Sequence, residues 1–215
     1  MKLVLLHSPL VSAATWERLA PLLRARGHAV EAPDLQPLLI GGAPYYSRIA
    51  ENIRSEAAVV VAHSGAGALV PLAAAARGAI FLDAILPHPG RSWFENAPPA
   101  LAAHLNGLAK EGMLPPWHRW WSQDAVARML GDVEAATRFA AMLKPLPLGY
   151  LTEKAPERTF TAPAAYLQLS AGYDGEAADA ARRGWPVSRL ALNHLAMLTH
   201  PELIADTLQA LLAKL

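Results

Sequence analysis

Short apolar runs alternate with amphipathic stretches along this chain. Runs without period-2 alternation are typical of strands that helices cover on both faces of a parallel sheet. The predicted strands lie at residues 1–7, 28–32, 59–62, 79–86, 164–169 and 187–192. Between them, apolar residues at helical spacing predict helices, such as the one carrying Trp16, Leu19 and Leu23 and ending at Gly27. This alternation predicts an α/β fold with a mostly parallel, doubly wound sheet of about six strands.

The alternation stops at residues 91–161, which show several short helical stretches and no strand pattern. This segment also carries many prolines and four of the tryptophans. A segment of this length with helices of its own is more typical of a small cap than of a loop. We therefore expect one domain over residues 1–215, with a helical cap inserted before the fifth strand.

Ser64 lies at the centre of this pattern, between the strand at 59–62 and an Ala/Leu-rich segment that predicts a helix ending at Gly78. Small residues stand two positions before it (Ala62) and two after it (Ala66), as the tight strand-to-helix turn of a nucleophile elbow requires. Such a turn points the N–H of the next residue, Gly65, toward the place where an oxyanion would form. A serine that merely caps a helix is the alternative interpretation.

Two further polar residues follow later strands. Asp174 comes after the strand at 164–169, and His194 comes after the strand at 187–192. Because ligands of such sheets bind beyond the carboxyl ends of the strands, both residues are candidates for the same site as Ser64.

Composition narrows the possible functions. A net charge of +1 and 17% charged residues give no reason to expect binding to nucleic acid or to an anionic membrane surface. The chain has no cysteine, which excludes disulfides, thiolate metal sites and thiol catalysis. No histidine–carboxylate spacing indicates a metal, and no segment approaches the ~20 apolar residues of a membrane span. We expect a cytoplasmic protein whose partner is a small molecule, and the oligomeric state stays open.

Several segments together resemble the α/β-hydrolase superfamily, in particular its lid-containing esterases and hydroxynitrile lyases. They are His7 with Trp16, the stretch Ala32-Pro33-Asp34-Leu35, the elbow around Ser64, and His194 standing seven residues before Pro201-Glu202. The resemblance covers nearly the whole chain. It implies Ser64 as nucleophile, His194 as general base and Asp174 as the acid that orients it, with no cofactor.

Each of these assignments has a competitor. His200 lies six residues after His194 and next to the start of the last helix, where a solvent-facing histidine is common. Asp83 follows the strand at 79–86, where some members of the fold keep their acid. We expect His194 and Asp174 to be the catalytic pair.

The first loop departs from the family pattern. In the resembling families, an N–H two residues after the loop histidine completes the oxyanion hole together with the one after the nucleophile, here Gly65. Pro9 stands at that position, and proline has no N–H. The Ser8 hydroxyl and the Leu10 N–H are the candidate replacements, and we expect Ser8 to take the role.

Aromatic residues of the expected cap suggest where the substrate binds. Trp117, Trp120 and Trp121 either line an apolar pocket or pack the cap onto the sheet, and His88 is a further candidate lining residue. We expect a serine esterase that acts on a small, partly apolar ester, thioester or lactone through an acyl-enzyme. The alternatives are a non-hydrolytic enzyme on the same site, such as a hydroxynitrile lyase or cyclase, and a ligand-binding protein that keeps the triad as a relic.

Overall fold

Six parallel strands form the main sheet in the computed structural model, which describes residues 1–121 and 125–215. The strands in chain order are β1 (Lys2–Leu6), β2 (Ala29–Glu31), β3 (Val59–His63), β4 (Gly78–Leu82), β5 (Met113–Leu114), β6 (Leu146–Pro147), β7 (Ala164–Gln168) and β8 (Val187–Arg189). The order across the main sheet is β2-β1-β3-β4-β7-β8, and β5 and β6 form a separate antiparallel pair. The predicted parallel sheet of about six strands is confirmed.

Helices cover both faces of this sheet. They are α1 (Leu19–Ala25), α2 (Gln36–Ile40), α3 (Tyr45–Asn52), α4 (Trp93–Asn96), α5 (Pro99–Leu108), α6 (Ala125–Leu130), α7 (Val133–Ala141), α8 (Leu148–Thr152), α9 (Asp174–Arg182), α10 (Ala196–Thr199) and α11 (Pro201–Leu212). Short 3₁₀ helices occupy Ala13–Trp16, Ser64–Leu72, Trp117–Arg119 and Ala171–Tyr173.

The central strand β3 explains why the apolar runs lack alternation. Val60 and Ala62 pack into one hydrophobic cluster, whereas Val59 and Val61 pack into a second cluster on the other face. All five residues of β3 are buried. Because both faces of the strand are covered, apolar residues are required at successive positions.

Helices α4 to α8 and the β5/β6 pair all lie between β4 and β7, the fourth and fifth strands of the main sheet along the chain. We refer to residues 91–161 as the insertion. Its helices were expected, but the β5/β6 pair was not, because two-residue strands leave no periodic pattern in a sequence.

Two predictions of local secondary structure differ from the structure. The helix expected to run from Ser64 to Gly78 is a 3₁₀ helix that ends at Leu72, and Pro71 within it has no N–H to extend the hydrogen-bonding pattern. The loop expected at residues 35–44 contains α2, which has a proline in its first turn.

None of the helices in the described part of the chain combines the length and hydrophobicity needed to cross a bilayer.

Candidate active site

Ser64 is held on a strained turn directly after β3. Its φ of +57° lies in the left-handed region, which a serine adopts only when the surrounding structure imposes it. The Ile85 N–H donates to the Ser64 carbonyl at 3.2 Å. Gly67 permits this close packing, since a Cβ at that position would lie 1.8 Å from the Ile85 carbonyl oxygen. The predicted sharp turn between strand and helix is therefore present at Ser64, whose side chain is buried.

Asp83 follows β4, the strand next to β3, and also has a positive φ of +45°. Its fully buried carboxylate accepts hydrogen bonds from the N–H groups of Leu169 and Ser170 at 2.8 and 3.0 Å. The Ser170 hydroxyl and Nδ1 of His194 both bond to its other oxygen at 2.7 Å. Burial by itself raises the pKa of Asp83, but the hydrogen bond and charge of His194 and the bonds from Ser170 and Leu169 outweigh it, and the pKa is lowered.

The bond to Asp83 fixes the state of the His194 ring. Because an ionised carboxylate only accepts hydrogen bonds, Nδ1 of His194 carries the proton and donates it. The other ring nitrogen, Nε2, is then the atom left free of the Asp83 bond. His200, the competing histidine, is exposed and bonds to the neighbouring Thr199 hydroxyl at 2.9 Å.

Asp174 does not contact His194, so the prediction that it orients this ring is wrong. Asp174 is exposed at the start of α9, and its carboxylate accepts a hydrogen bond from the Gln168 side chain. The 3₁₀ turn Ala171–Tyr173 separates it from the end of β7. The structure instead places Asp83, the competing carboxylate, against His194.

Tyr173 was not singled out in the sequence, yet it joins Ser64 to His194. Its hydroxyl lies 3.2 Å from the Ser64 Oγ, and its ring stacks on the His194 imidazole with centroids 5.1 Å apart and planes 8° apart. Burial, together with the nearby Asp83 carboxylate, raises the pKa of Tyr173, so the phenol keeps its proton at neutral pH. Nothing in the sequence marks it except its position beside Asp174.

His63 contacts His194 through its ring and through a hydrogen bond to the backbone. Its Nε2 donates to the backbone carbonyl of His194 at 2.9 Å, and the two rings lie 4.5 Å apart. Trp16 packs edge-on against the other side of the His63 ring. Burial first, and then the neighbouring His194, hold the pKa of His63 well below its ordinary value. His63 is therefore a neutral, buried ring that fixes the loop carrying His194.

Ser8 lies beside Gly65, the residue that follows Ser64. A Cβ at Gly65 would be 2.9 Å from the Ser8 Oγ. The Leu10 N–H donates to this same oxygen at 3.3 Å, so its hydrogen points at Ser8. Because Oγ accepts that bond, the Ser8 hydroxyl keeps its own proton to donate. Of the two candidate donors, this arrangement favours Ser8 over Leu10.

The structure separates the three tryptophans of the insertion. Trp117 is half-buried, with its ring 6.4 Å from that of His194. Trp120 is buried in the core and donates to the Pro115 carbonyl at 2.6 Å. Trp121 is 45% exposed and stacks on His104. Only Trp117 of the three contacts the candidate site.

A pocket of about 720 Å³ adjoins this site. Tyr173 and Ile85, which both bond to Ser64, line it together with His88 and Trp93. Nδ1 of His88 lies 2.9 Å from the Arg91 carbonyl, so His88 is partly held by the start of the insertion. A second pocket, of about 650 Å³ around Phe139 and Leu198, is lined by none of the site residues.

The comparisons with known proteins agree with this fold. A sheet of this order with an elbow serine defines an α/β-hydrolase fold. Residues 3–207 match the alpha/beta hydrolase family, and the chain belongs to that family. The predicted superfamily is thereby confirmed. No curated protein matches the sequence.

Solved structures resemble the fold over almost its whole length. An extracellular α/β-hydrolase from a Paenibacillus species, described as sharing structural and functional homology with tobacco salicylic acid binding protein 2, has a TM-score of 0.80 at 18% identity and 98% coverage of both chains. Tomato methylketone synthase I in complex with 2-tridecanone has a TM-score of 0.74 at 19% identity, covering 99% of this chain and 98% of that one. Polyneuridine aldehyde esterase has a TM-score of 0.69 at 19% identity, covering 97% and 98%.

Proposed function

We propose that this protein is a serine hydrolase that cleaves small, partly apolar esters through Ser64, His194 and Asp83. The observation that carries the proposal is the buried Asp83 carboxylate hydrogen-bonded to Nδ1 of His194, at the same end of the sheet as the strained Ser64. An ionised acid, an oriented imidazole and an elbow serine are the three parts that acyl transfer requires.

The mechanism follows from these positions. Nε2 of His194 takes the proton of the Ser64 hydroxyl as Oγ attacks the carbonyl carbon, while Asp83 stabilises the imidazolium. The Gly65 N–H and the Ser8 hydroxyl stabilise the oxyanion. Collapse of the intermediate returns the proton to the leaving oxygen, and water then hydrolyses the acyl-enzyme. The substrate class rests on the half-buried Trp117 beside His194 and on the apolar side chains of the adjoining pocket. Thioesters and lactones belong to the same class of carbonyl substrate.

One observation favours a second candidate function. Pro9 leaves the first loop without the backbone N–H that completes the oxyanion hole in the resembling families, because proline has no N–H. A lyase or cyclase that uses Ser64 and His194 only to shuttle protons needs less oxyanion stabilisation than a hydrolase does. In that case no acyl group would accumulate on Ser64.

The test combines labelling with burst kinetics. A fluorophosphonate should label the wild-type protein on Ser64, and Ser64→Ala and His194→Ala should each abolish both labelling and ester turnover, because these residues act as a unit. The matched control is His200→Ala, whose exposed ring should leave both unchanged. A stoichiometric burst of p-nitrophenol from p-nitrophenyl acetate indicates the acyl-enzyme. Labelling without a burst or turnover on any ester would favour the non-hydrolytic function.

A further inference from the structure

The Ser64 hydroxyl bonds to a side chain that the triad mechanism leaves unexplained. Tyr173 OH lies 3.2 Å from the Ser64 Oγ while the tyrosine ring covers one face of the His194 imidazole. A phenol that touches both the nucleophile and the base lies within reach of the atoms that react between them. The burial that raises the pKa of Tyr173 keeps its hydroxyl protonated and therefore able to donate.

The residues around Ser64 fall into two groups. Ser8 and Gly65 adjoin one another and are the proposed donors for the carbonyl oxygen. His194 must deliver its proton to the leaving oxygen, so that oxygen lies on the histidine side of the carbonyl carbon. Tyr173 is stacked on His194, and its hydroxyl lies 3.2 Å from the Ser64 Oγ, so we group it with the histidine.

The adjoining pocket begins at this point. Tyr173 lines it, and so does Ile85, whose N–H donates to the Ser64 carbonyl. Leu101 and Trp93 of the insertion provide apolar surface, and α9 forms a more polar side that includes Glu176. A pocket of about 720 Å³ is large enough for the body of a small organic molecule.

We propose that the Tyr173 hydroxyl donates a hydrogen bond to the leaving oxygen of the ester, and that the alcohol part of the substrate, with an apolar body, lies in the pocket that Tyr173 lines. This inference rests on the proposed function. Tyr173 keeps its proton throughout. The C–O bond to the alcohol breaks with its electron pair going to oxygen, and the proton on that oxygen comes from Nε2 of His194.

The first test is the leaving-group dependence of Tyr173→Phe, which removes the hydroxyl and keeps the stacked ring. We expect kcat/KM to fall by about tenfold or more on ethyl acetate, as loss of a hydrogen bond to developing charge predicts. On p-nitrophenyl acetate, whose leaving group needs little help, the fall should be below about twofold. Tyr45→Phe is the matched control, since Tyr45 packs against Tyr150 and not against Ser64 or His194.

Three results would overturn the inference. If kcat/KM falls equally on both acetates, Tyr173 stabilises the oxyanion or the fold and not the leaving oxygen. If kcat/KM does not fall, the hydroxyl takes no part in the mechanism. If kcat/KM rises, the Tyr173 hydroxyl obstructs the substrate. Failure of the proposed function is distinguishable from these results. If fluorophosphonate does not label Ser64 in the wild-type protein, both proposals are wrong, whereas labelling with a flat leaving-group dependence contradicts this one alone.

The second test fills the pocket with Leu101→Trp. We expect a KM for benzyl acetate raised about fivefold or more, an unchanged KM for methyl acetate, and an unaffected series of methyl esters from acetate to butyrate. Val133→Trp, at a position 74% exposed in the same insertion, is the matched control and should behave as wild type. An effect on acyl chain length in place of alcohol size would put the acyl group in this pocket and contradict the proposal.

Discussion

The carboxyl edge of the main sheet and the insertion contribute different kinds of residue to the candidate site. At the sheet edge, Asp83 is fully buried with every oxygen hydrogen-bonded, and Ser64 is held at a positive φ. In the insertion, Trp117 is half-buried and Trp121 is 45% exposed. The sheet edge therefore holds the proposed reacting groups in fixed positions, and the insertion contributes more exposed side chains. We expect substitutions at the sheet edge to affect turnover and substitutions in the insertion to affect substrate selectivity.

Among substitutions at the sheet edge, Asp83→Asn should lower turnover the most after substitution of Ser64 or His194. Removing the charge and changing the preferred tautomer of His194 should lower kcat on p-nitrophenyl acetate by a factor on the order of 10⁴. Asp174→Asn should change kcat little, because Asp174 is exposed and bonds only to Gln168 among the contacts seen here. The opposite ranking of the two variants in kcat would assign the acid to Asp174.

The next effect concerns the first loop. Ser8→Ala should lower turnover of an activated ester by about tenfold or more, since single oxyanion donors are worth up to ~10² to 10³ in rate. Pro9→Ala, which restores an N–H without removing Ser8, should lower turnover little or raise it. Steady-state kinetics of both variants on p-nitrophenyl acetate decide the matter. If Ser8→Ala keeps full activity, the Leu10 N–H becomes the second donor.

The sheet edge was only partly predictable from the sequence. Ser64 and His194 follow apolar runs, which made them candidates, and the resemblance to α/β-hydrolases favoured His194 over His200 through its spacing to Pro201-Glu202. Asp83 and Asp174 both follow strands, and local pattern does not distinguish them. Tertiary structure decides which of the two carboxylates lies near His194. Asp83 follows β4, which lies next to β3, whereas the short 3₁₀ turn after β7 places Asp174 at the start of α9. Tyr173 was not selected, because its stacking on His194 depends on the fold and leaves no local pattern in the sequence.

The insertion was the least predictable region. Its helices follow from their composition, but the different surroundings of Trp117, Trp120 and Trp121 depend on which ring faces the sheet. The hydrogen bond from Trp120 to the Pro115 carbonyl is a contact within the insertion that sequence spacing does not reveal. The six strands of the main sheet were predictable because burial on both faces requires continuous apolar runs.

An intermediate effect should separate these three tryptophans. Trp117→Ala should change KM across a series of esters more than it changes reactivity toward a minimal acetate, because its ring contacts that of His194. Trp120→Ala should lower the free energy of unfolding by ~3 to 5 kcal/mol, the usual cost of truncating a buried tryptophan. Trp121→Ala should change neither the KM values of the ester series nor the free energy of unfolding by much. Thermal melts measured beside the ester series provide the comparison, and identical behaviour of Trp117 and Trp121 would contradict it.

The smallest effect is a pH dependence of stability that His63 imposes. The pKa of His63 in the folded protein lies well below its ordinary value of 6.5, so as the pH falls below 6.5 the unfolded chain binds a proton that the folded protein does not. The free energy of unfolding should therefore fall as the pH is lowered through this range. Urea unfolding of His63→Gln should show a flatter dependence than wild type between pH 7.5 and about 5.

The control for that prediction is the same substitution at the exposed His200, which should leave the slope unchanged. An equal slope in wild type and His63→Gln would show that the protein tolerates a charged ring at position 63.

The position of Asp83 along the chain has a consequence for how this scaffold can vary. Ser64 and Asp83, the proposed nucleophile and acid, both precede the insertion and directly follow the adjacent strands β3 and β4, and the Ile85 N–H donates to the Ser64 carbonyl. Their spacing therefore does not depend on the length or path of residues 91–161. Of the three proposed triad residues only His194 comes afterwards, and the N–H groups of Leu169 and Ser170 bring the end of β7 to the same Asp83 carboxylate. We therefore expect that replacing the insertion by one of different size would change the surface around the candidate site and leave the spacing of Ser64 and Asp83 unchanged.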